Sequence, residues 1–171
     1  RLAEHGLNEV VATVEDPVPL TEEAATVAES RAGNLVADAL RWRADADAAI
    51  SPTGALRSGD QLSGEVTVAD LQGLAPYDDE LAVVSLPGDR MREALAELPA
   101  GYHHDEFPDR FCSHVSGAQV VWDDDDGELR AASVGGEPVD PGAEYTLAVA
   151  DYLVETDHVS AAFDERDVVG R

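Results

Sequence analysis

Gly33-Asn34-Leu35-Val36-Ala37-Asp38-Ala39-Leu40 is the stretch on which the reading of this chain turns. Leu35, Val36, Ala39 and Leu40 fall at i, i+1, i+4 and i+5, with Asp38 and Arg41 off the stripe. That period predicts a buried helix with Gly33 and Asn34 at its start. A glycine there lets the helix N-terminus, with its unpaired N–H groups and positive dipole end, approach another backbone or an anion. Ala48-Ala49-Ile50-Ser51 then reads as a short buried strand, and Pro52 to Gly59 as the loop leaving its carboxyl end. Ligands of sheet proteins gather outside the carboxyl ends of strands, so Arg57 on that loop is the first cation to consider as an anion ligand. Its alternative is to pair with one of the many local carboxylates.

Outward from this unit, Glu9 to Glu15 is β-branched and reads as an opening strand closed by Asp16-Pro17. Thr21 to Ser30 is acidic and Ala-rich, a helical turn or loop leading into the central helix. Trp42, Asp45 and Asp47 end that helix in a polar turn. Thr67 with Asp70 makes a capping-box start for a short helix through Leu71 and Leu74, stopped by Pro76. Tyr77-Asp78-Asp79 turns into a strand from Glu80 to Leu86, and Pro87-Gly88-Asp89 opens a helix whose Met91, Leu95 and Leu98 repeat at i, i+4 and i+7. Ala100 to Ser116 has no clean period and reads as irregular. Gln119 to Trp122 and Leu129 to Val134 read as a hairpin about the Asp123 to Gly127 turn, and Tyr145 to Ala150 as a last strand delivering Asp151-Tyr152 to a loop. Val159 to Phe163 reads as helical, fraying near Val168. Helices mixed with strands and late hairpins indicate an α+β domain, a mixed β-sheet covered by helices.

The 171 residues, 44% of them hydrophobic, suit a single domain with a real core. Eleven basic residues, all Arg, face 36 acidic ones, for a net charge of −25. The carboxylates are interleaved with apolar residues at core periods, so they form an acidic coat on a folded domain and not a disordered tail. Such a coat with no Lys suits a halophile's molar salt, where the Debye length shrinks to ~3 Å and self-repulsion fades. It argues against nucleic-acid and anionic-membrane partners, which are held by Lys and Arg. The single Cys112 excludes an internal disulfide, and beside Phe111 it reads as an inert buried thiol. No apolar run is long enough to span a bilayer. The sequence begins at Arg1 and reads as a piece of a longer chain, working in the cytoplasm of a salt-accumulating cell or exported from it.

Chemistry-bearing clusters are few. His103, His104, Asp105 and Glu106, with His114 nearby, carry metal-ligand chemistry without the spacing of a defined site. The Asp123 to Asp126 run lacks the Gly and Glu positions of a calcium loop. No nucleophile elbow, P-loop or dinucleotide fingerprint occurs. Two tyrosines stand at strand or turn ends, Tyr77 after Pro76 and Tyr152 after Asp151. Facing across a cleft they would sandwich a flat heterocycle; the alternative is that each packs with its hydroxyl at the rim.

The order of these features carries a resemblance. E-S-x-x-G-N-L-x-x-D-A-L at Glu29 to Leu40, G-x-L-R at Gly54 to Arg57, Leu74-Ala75-Pro76-Tyr77, Val115-Ser116-Gly117, Gly136 to Asp140, and Asp151-Tyr152-Leu153 come in that sequence. From about Glu9 to Phe163 the chain resembles the C-terminal domain of the 5′-nucleotidase and UDP-sugar hydrolase family of metallophosphatases. The resemblance implies a substrate-recognition domain of an enzyme that hydrolyses phosphate esters in nucleotide catabolism. Its two divalent metal ions would belong to an N-terminal metallophosphatase domain lying outside this sequence, and none to this domain itself. It implies that Tyr77 and Tyr152 stack the base, that Arg57 holds anionic oxygens, that Asp157 accepts from the ribose or base, and that Arg31 serves for an upstream family arginine replaced by Ala28. The loop's asparagine is Pro52 here, which has no amide to offer. The glycine-rich loop after the last aromatic is Thr156-Asp157-His158-Val159, which keeps an Asp but no glycine. These departures leave a second expectation standing: a degenerate, non-catalytic module that retains the fold for interdomain or protein contacts.

Overall fold

A computed structural model describes residues 6–21, 29–98, 113–123, 128–156 and 159–171. Strand β1 (Val10–Val18) opens the chain and helix α1 (Arg31–Ala44) follows. Next come β2 (Ala48–Ser51), a 3-10 turn at Thr53–Ala55, β3 (Leu62–Thr67), α2 (Val68–Leu74), β4 (Leu81–Pro87) and α3 (Gly88–Ala96). The second half holds β5 (His114–Ser116), β6 (Ala118–Trp122), β7 (Leu129–Val134), β8 (Glu137–Pro138), β9 (Glu144–Ala150) and β10 (Val168–Gly170). The central sheet has five strands in the order β10-β4-β9-β2-β5, and is mixed because β2 runs parallel to β9 while the other pairs are antiparallel. β1 and β3 form a two-stranded sheet, and β6, β7 and β8 a three-stranded one. The fold is thus the α+β arrangement expected, a mixed sheet covered by helices, with two smaller sheets added.

The central strand β2 is buried at every position because the central sheet is covered on both faces. Ile50, Ala82, Val84, Leu86, Leu147 and Val149 point into the main core with Met91, Ala94 and Leu95 of α3, Ala132 and Val134 of β7, and Phe163. Ala49 and Ala148, one residue out of phase, point to the other face, where Ala46 and the edge residue Leu40 meet them. Alanines at these sites let α1 lie close to the sheet. A second core, built from Val18, Leu20, Ala32, Leu56, Leu62, Val66 and Leu74, joins the β1–β3 ribbon to α1 and α2. Each fully buried Leu, Ile or Met contributes about 1.5–3 kcal/mol of transfer free energy.

Helix α1 departs from its expectation in two ways. It starts at Arg31, because the Ser30 side chain caps it by accepting from the Gly33 N–H at 3.0 Å. Its buried face is Ala32, Gly33 and Ala37, whereas Leu35 is 45% exposed and Ala39 is also exposed. Leu35 and Ala39 therefore face outward, while Val36 and Leu40 of the same stripe are half-buried against the second core and the alanine face of the sheet. The helix ends as expected in a polar turn, with Asp45 left-handed at its C-cap (φ 52°) and Trp42 83% exposed.

Other expectations are corrected locally. The opening strand runs on to Val18, which its position opposite Leu62 in the ribbon sustains. His114–Ser116, within the stretch expected to be irregular, is an edge strand paired to β2. Residues 159–163 are not helical, and Val168–Gly170 pairs with β4 where fraying was expected. Arg90 holds that end down: its guanidinium forks onto Asp167 at 2.6 and 2.7 Å and its Nε donates to the Ala162 carbonyl at 2.8 Å. The capping box of Thr67 and Asp70 at the start of α2 is present as expected.

Candidate functional site

The parallel pair β2 and β9 defines one end of the central sheet. Ser51 ends β2 there, Ala150 ends β9, and the antiparallel β4 begins there at Leu81, opposite Ala150. β5 starts at the same end, with His114 opposite Ser51. α1 enters there too, because Ser30 Oγ at its N-cap lies 3.0 Å from His114 Nε2. The carboxyl ends of β2 and β9 thus release Arg57 and Tyr152, and the approach to β4 carries Tyr77.

Arg57 and Tyr77 are in direct contact. The guanidinium carbon lies 4.7 Å from the centroid of the Tyr77 ring. Arg57 Nη1 donates to the carbonyls of Gly54 at 2.9 Å and Leu56 at 3.0 Å, and the Arg57 N–H donates to the Leu74 carbonyl at 2.9 Å. Among the described residues no ion pair joins Arg57 to a carboxylate; the carbonyls of its own loop hold it instead. Behind the loop, a cavity of about 390 Å³ is lined by Arg57, Asp60, Leu62, Val66, Asp70 and Leu74. Tyr77 is half exposed and Tyr152 is 36% exposed in the 3-10 turn Asp151–Val154, which the Asp151 N–H ties to the Glu80 carbonyl at 2.7 Å.

Arg31 sits at the same end but is turned toward β1. Its Nη1 lies 3.3 and 3.4 Å from the carbonyls of Asp16 and Pro17, and it lines a separate hollow of about 550 Å³ with Thr13, Asn34, Leu35 and Asp38. Pro52 is buried, and its carbonyl accepts from the Ala55 N–H at 2.9 Å as the 3-10 turn begins. Asp157, Ala28, His103, His104, Asp105, Glu106, Cys112 and the 124–127 part of the acidic turn lie outside the described residues. Among the described residues no group of three or more His, Cys, Asp or Glu is arranged to hold a metal ion, and no helix is long and apolar enough to cross a membrane.

The signature residues bond mostly to one another. Asn34 Nδ2 donates to Glu29 Oε1 at 2.6 Å, Ser116 Oγ donates to Asp38 Oδ1 at 2.5 Å, and Arg41 Nε donates to Ser116 Oγ at 2.9 Å. Gly33 is required by contact, since a Cβ there would land in the His114 ring. Gly117, at φ 73°, is required twice over, because a Cβ would also strike the Asp47 carbonyl. Asp47 in turn accepts from the Thr146 N–H and Oγ1 at 2.8 Å. The two motifs at Glu29 to Leu40 and Val115 to Gly117 are therefore one interlocked structural unit, spaced far apart in sequence.

His114, which the sequence sets near His103 and His104 without a metal-site spacing, has a structural place that the sequence reading did not assign. It is 3% exposed, seated between Ser30 and Gly33, and burial pushes its imidazole below the ordinary 6.5 while Glu29 pulls the other way. Among the described residues its Nδ1 has no hydrogen-bond partner. The signal available was the S-x-x-G spacing of a capped helix start at Ser30 and Gly33.

The family model for the 5′-nucleotidase C-terminal domain matches residues 10–165. The chain belongs to that family. Its fold is shared with the 5′-nucleotidase precursor of Thermus thermophilus, at 22% identity and a TM-score of 0.74 over 94% of this chain and 35% of that one. It is shared likewise with the NAD nucleotidase of Haemophilus influenzae, at 16% identity and a TM-score of 0.78 over 96% of this chain and 33% of that one. A sulfate thiohydrolase of Thermus thermophilus aligns at 26% identity with a TM-score of 0.66, over 87% of this chain and 29% of that one. The 5′-nucleotidase C-terminal-like chain thus spans about a third of the length of these relatives. No curated protein matches it in sequence.

Proposed function

We propose that residues 1–171 form the single substrate-recognition domain of a 5′-nucleotidase-like phosphoric ester hydrolase working in molar salt. The bond-breaking metal centre would lie on a separate N-terminal domain. The observation that carries the proposal is the Arg57–Tyr77 contact at the carboxyl end of β2, with Tyr152 leaving the parallel neighbour β9 at that same end. A purine or pyrimidine entering this end stacks on the two rings, each contributing ~1–3 kcal/mol. Asp157 accepts from a ribose hydroxyl or the base, and Arg57 and Arg31 supply positive charge on a domain of net charge −25. The family match over residues 10–165 supports this reading, as does the fold shared with two nucleotidases.

The test is calorimetric titration of the chain with AMP and adenosine in molar KCl. Heat saturating at or below millimolar ligand is expected. Absence of heat at millimolar ligand refutes a working pocket and favours the second reading, a module kept for interdomain contacts. Pro52 in place of an amide donor, and signature residues whose bonds are internal, are what speak for that second reading. In the longer enzyme, Tyr152→Ala separates the two, since an unchanged KM belongs to the second.

A further inference from the structure

We infer that the cavity beside the edge strand β5 binds an uncharged ligand with an apolar body and a hydrogen-bond acceptor, a carbonyl or a ring nitrogen. Among the described residues, four buried side-chain polar atoms lack a hydrogen-bond partner: Ser51 Oγ, Ser113 Oγ, His114 Nδ1 and Trp122 Nε1. Three of the four belong to residues that line one cavity of about 480 Å³, and Ser51 is the cross-strand neighbour of His114. Ser113 is 8% and His114 3% exposed, so bulk solvent does not serve them. A buried polar group without a partner is costly, and the gathering of three around one space points to an occupant that supplies the partner.

The chemistry of the three atoms selects that occupant. The indole Nε1–H of Trp122 can only donate. Ser30 Oγ accepts from the Gly33 N–H and lies 3.0 Å from His114 Nε2, so the hydroxyl proton goes to Nε2 and the ring proton sits on Nδ1. His114 thus presents a second donor, and the Ser113 hydroxyl a third. The rest of the wall is apolar at Val115, Ala118, Val120 and the Trp122 ring. Among the described residues no Arg lines the cavity and Glu29 does, on a domain of net charge −25, so an anion is repelled. Water would satisfy the donors and leave the apolar wall wet, whereas an acceptor on an apolar body meets both. The cavity shares no lining residue with the one behind Arg57, so the inference does not depend on the nucleotide reading.

NMR titration of the isotope-labelled 171-residue chain in molar KCl tests this, read at its two indole N–H signals. Trp42, 83% exposed, is the internal control. Three probes of similar size separate the chemistries: acetophenone carries an acceptor on an apolar ring, benzoate adds a charge, and aniline puts a donor in the acceptor's place. Acetophenone is expected to shift the Trp122 signal downfield and saturably in the millimolar range while Trp42 stays unmoved, and benzoate and aniline to produce no saturable shift. Ser113→Ala, which leaves the indole reporter in place, should weaken acetophenone about two- to tenfold, the loss of one hydrogen bond. Benzoate binding more tightly than acetophenone identifies an anion site and overturns the inference. Aniline binding as tightly as acetophenone identifies an unselective apolar hollow and overturns it as well. A Trp122 signal unmoved by acetophenone near its solubility limit, or an affinity unchanged in Ser113→Ala, does the same.

Discussion

Gly33→Ala ought to be stabilising by helix propensity, and the structure says that it is strongly destabilising. In an exposed helix interior the exchange gains about 1 kcal/mol. Gly33 is buried at the third position of α1, and the new methyl would occupy the space of the His114 ring. Overpacking of this kind costs about 1–3 kcal/mol. If the ring moves away, His114 Nε2 loses Ser30 Oγ at 3.0 Å, and a buried polar atom left unsatisfied costs a further 1–3 kcal/mol, or thereabouts. Taking central values, the net loss is about 3 kcal/mol, which for a chain of this size lowers Tm by about 6–12 °C. Urea unfolding of Gly33→Ala, His114→Ala and the double variant forms a cycle that isolates the clash. With the ring removed, the added methyl finds room and the propensity gain of about 1 kcal/mol emerges. The reasoning is refuted if Gly33→Ala is neutral in the wild-type background, or equally harmful in both.

Stability should fall as pH drops below 6.5. Burial lowers the folded His114 pKa, so between 6.5 and that folded value the unfolded chain binds a proton that the folded one refuses. The contribution is complete above 6.5 and lost as pH falls through the folded value; His114→Asn should narrow the difference in urea midpoint between pH 7.5 and 5. Arg90→Ala should release the C-terminal strand, raising amide exchange across Val168–Gly170 and costing about 1–3 kcal/mol, an amount between exposed and buried ion pairs because Asp167 is 13% and Arg90 34% exposed. Trp42→Phe should remove most of the acrylamide-quenchable tryptophan fluorescence at almost no cost in stability, because Trp42 is 83% exposed while Trp122 packs against the main core.

The fold was legible where a local signal and the tertiary demand agree. The capping box at Thr67 and Asp70, the alternation of β4 and the order of the motifs all point the same way in sequence and in space. Legibility failed where packing overrode pattern. Leu35 and Ala39 look like the core face of α1, yet the helix buries Ala32, Gly33 and Ala37, and of the apolar stripe it is Leu40 that meets the alanine face of the sheet. The edge strand at His114 was hidden because three residues carry no readable period, and the terminal strand because Asp167, just before it, is held by the distant Arg90. At the candidate site the sequence singled out Arg57 and Tyr77 separately. That one lies over the other depends on the Leu74 carbonyl meeting the Arg57 N–H, a contact between segments that no spacing rule announces.

The interlock of Glu29, Asn34, Asp38, Ser116 and Gly117 bears on how such domains diverge. A fingerprint whose members satisfy each other acts as a hinge-pin of folding, whatever the protein grips. Loops such as 52–59 take no part in those bonds, so they can change while the fingerprint stays intact. Two proteins that share it therefore share a shape, and their cargo has to be established one loop at a time.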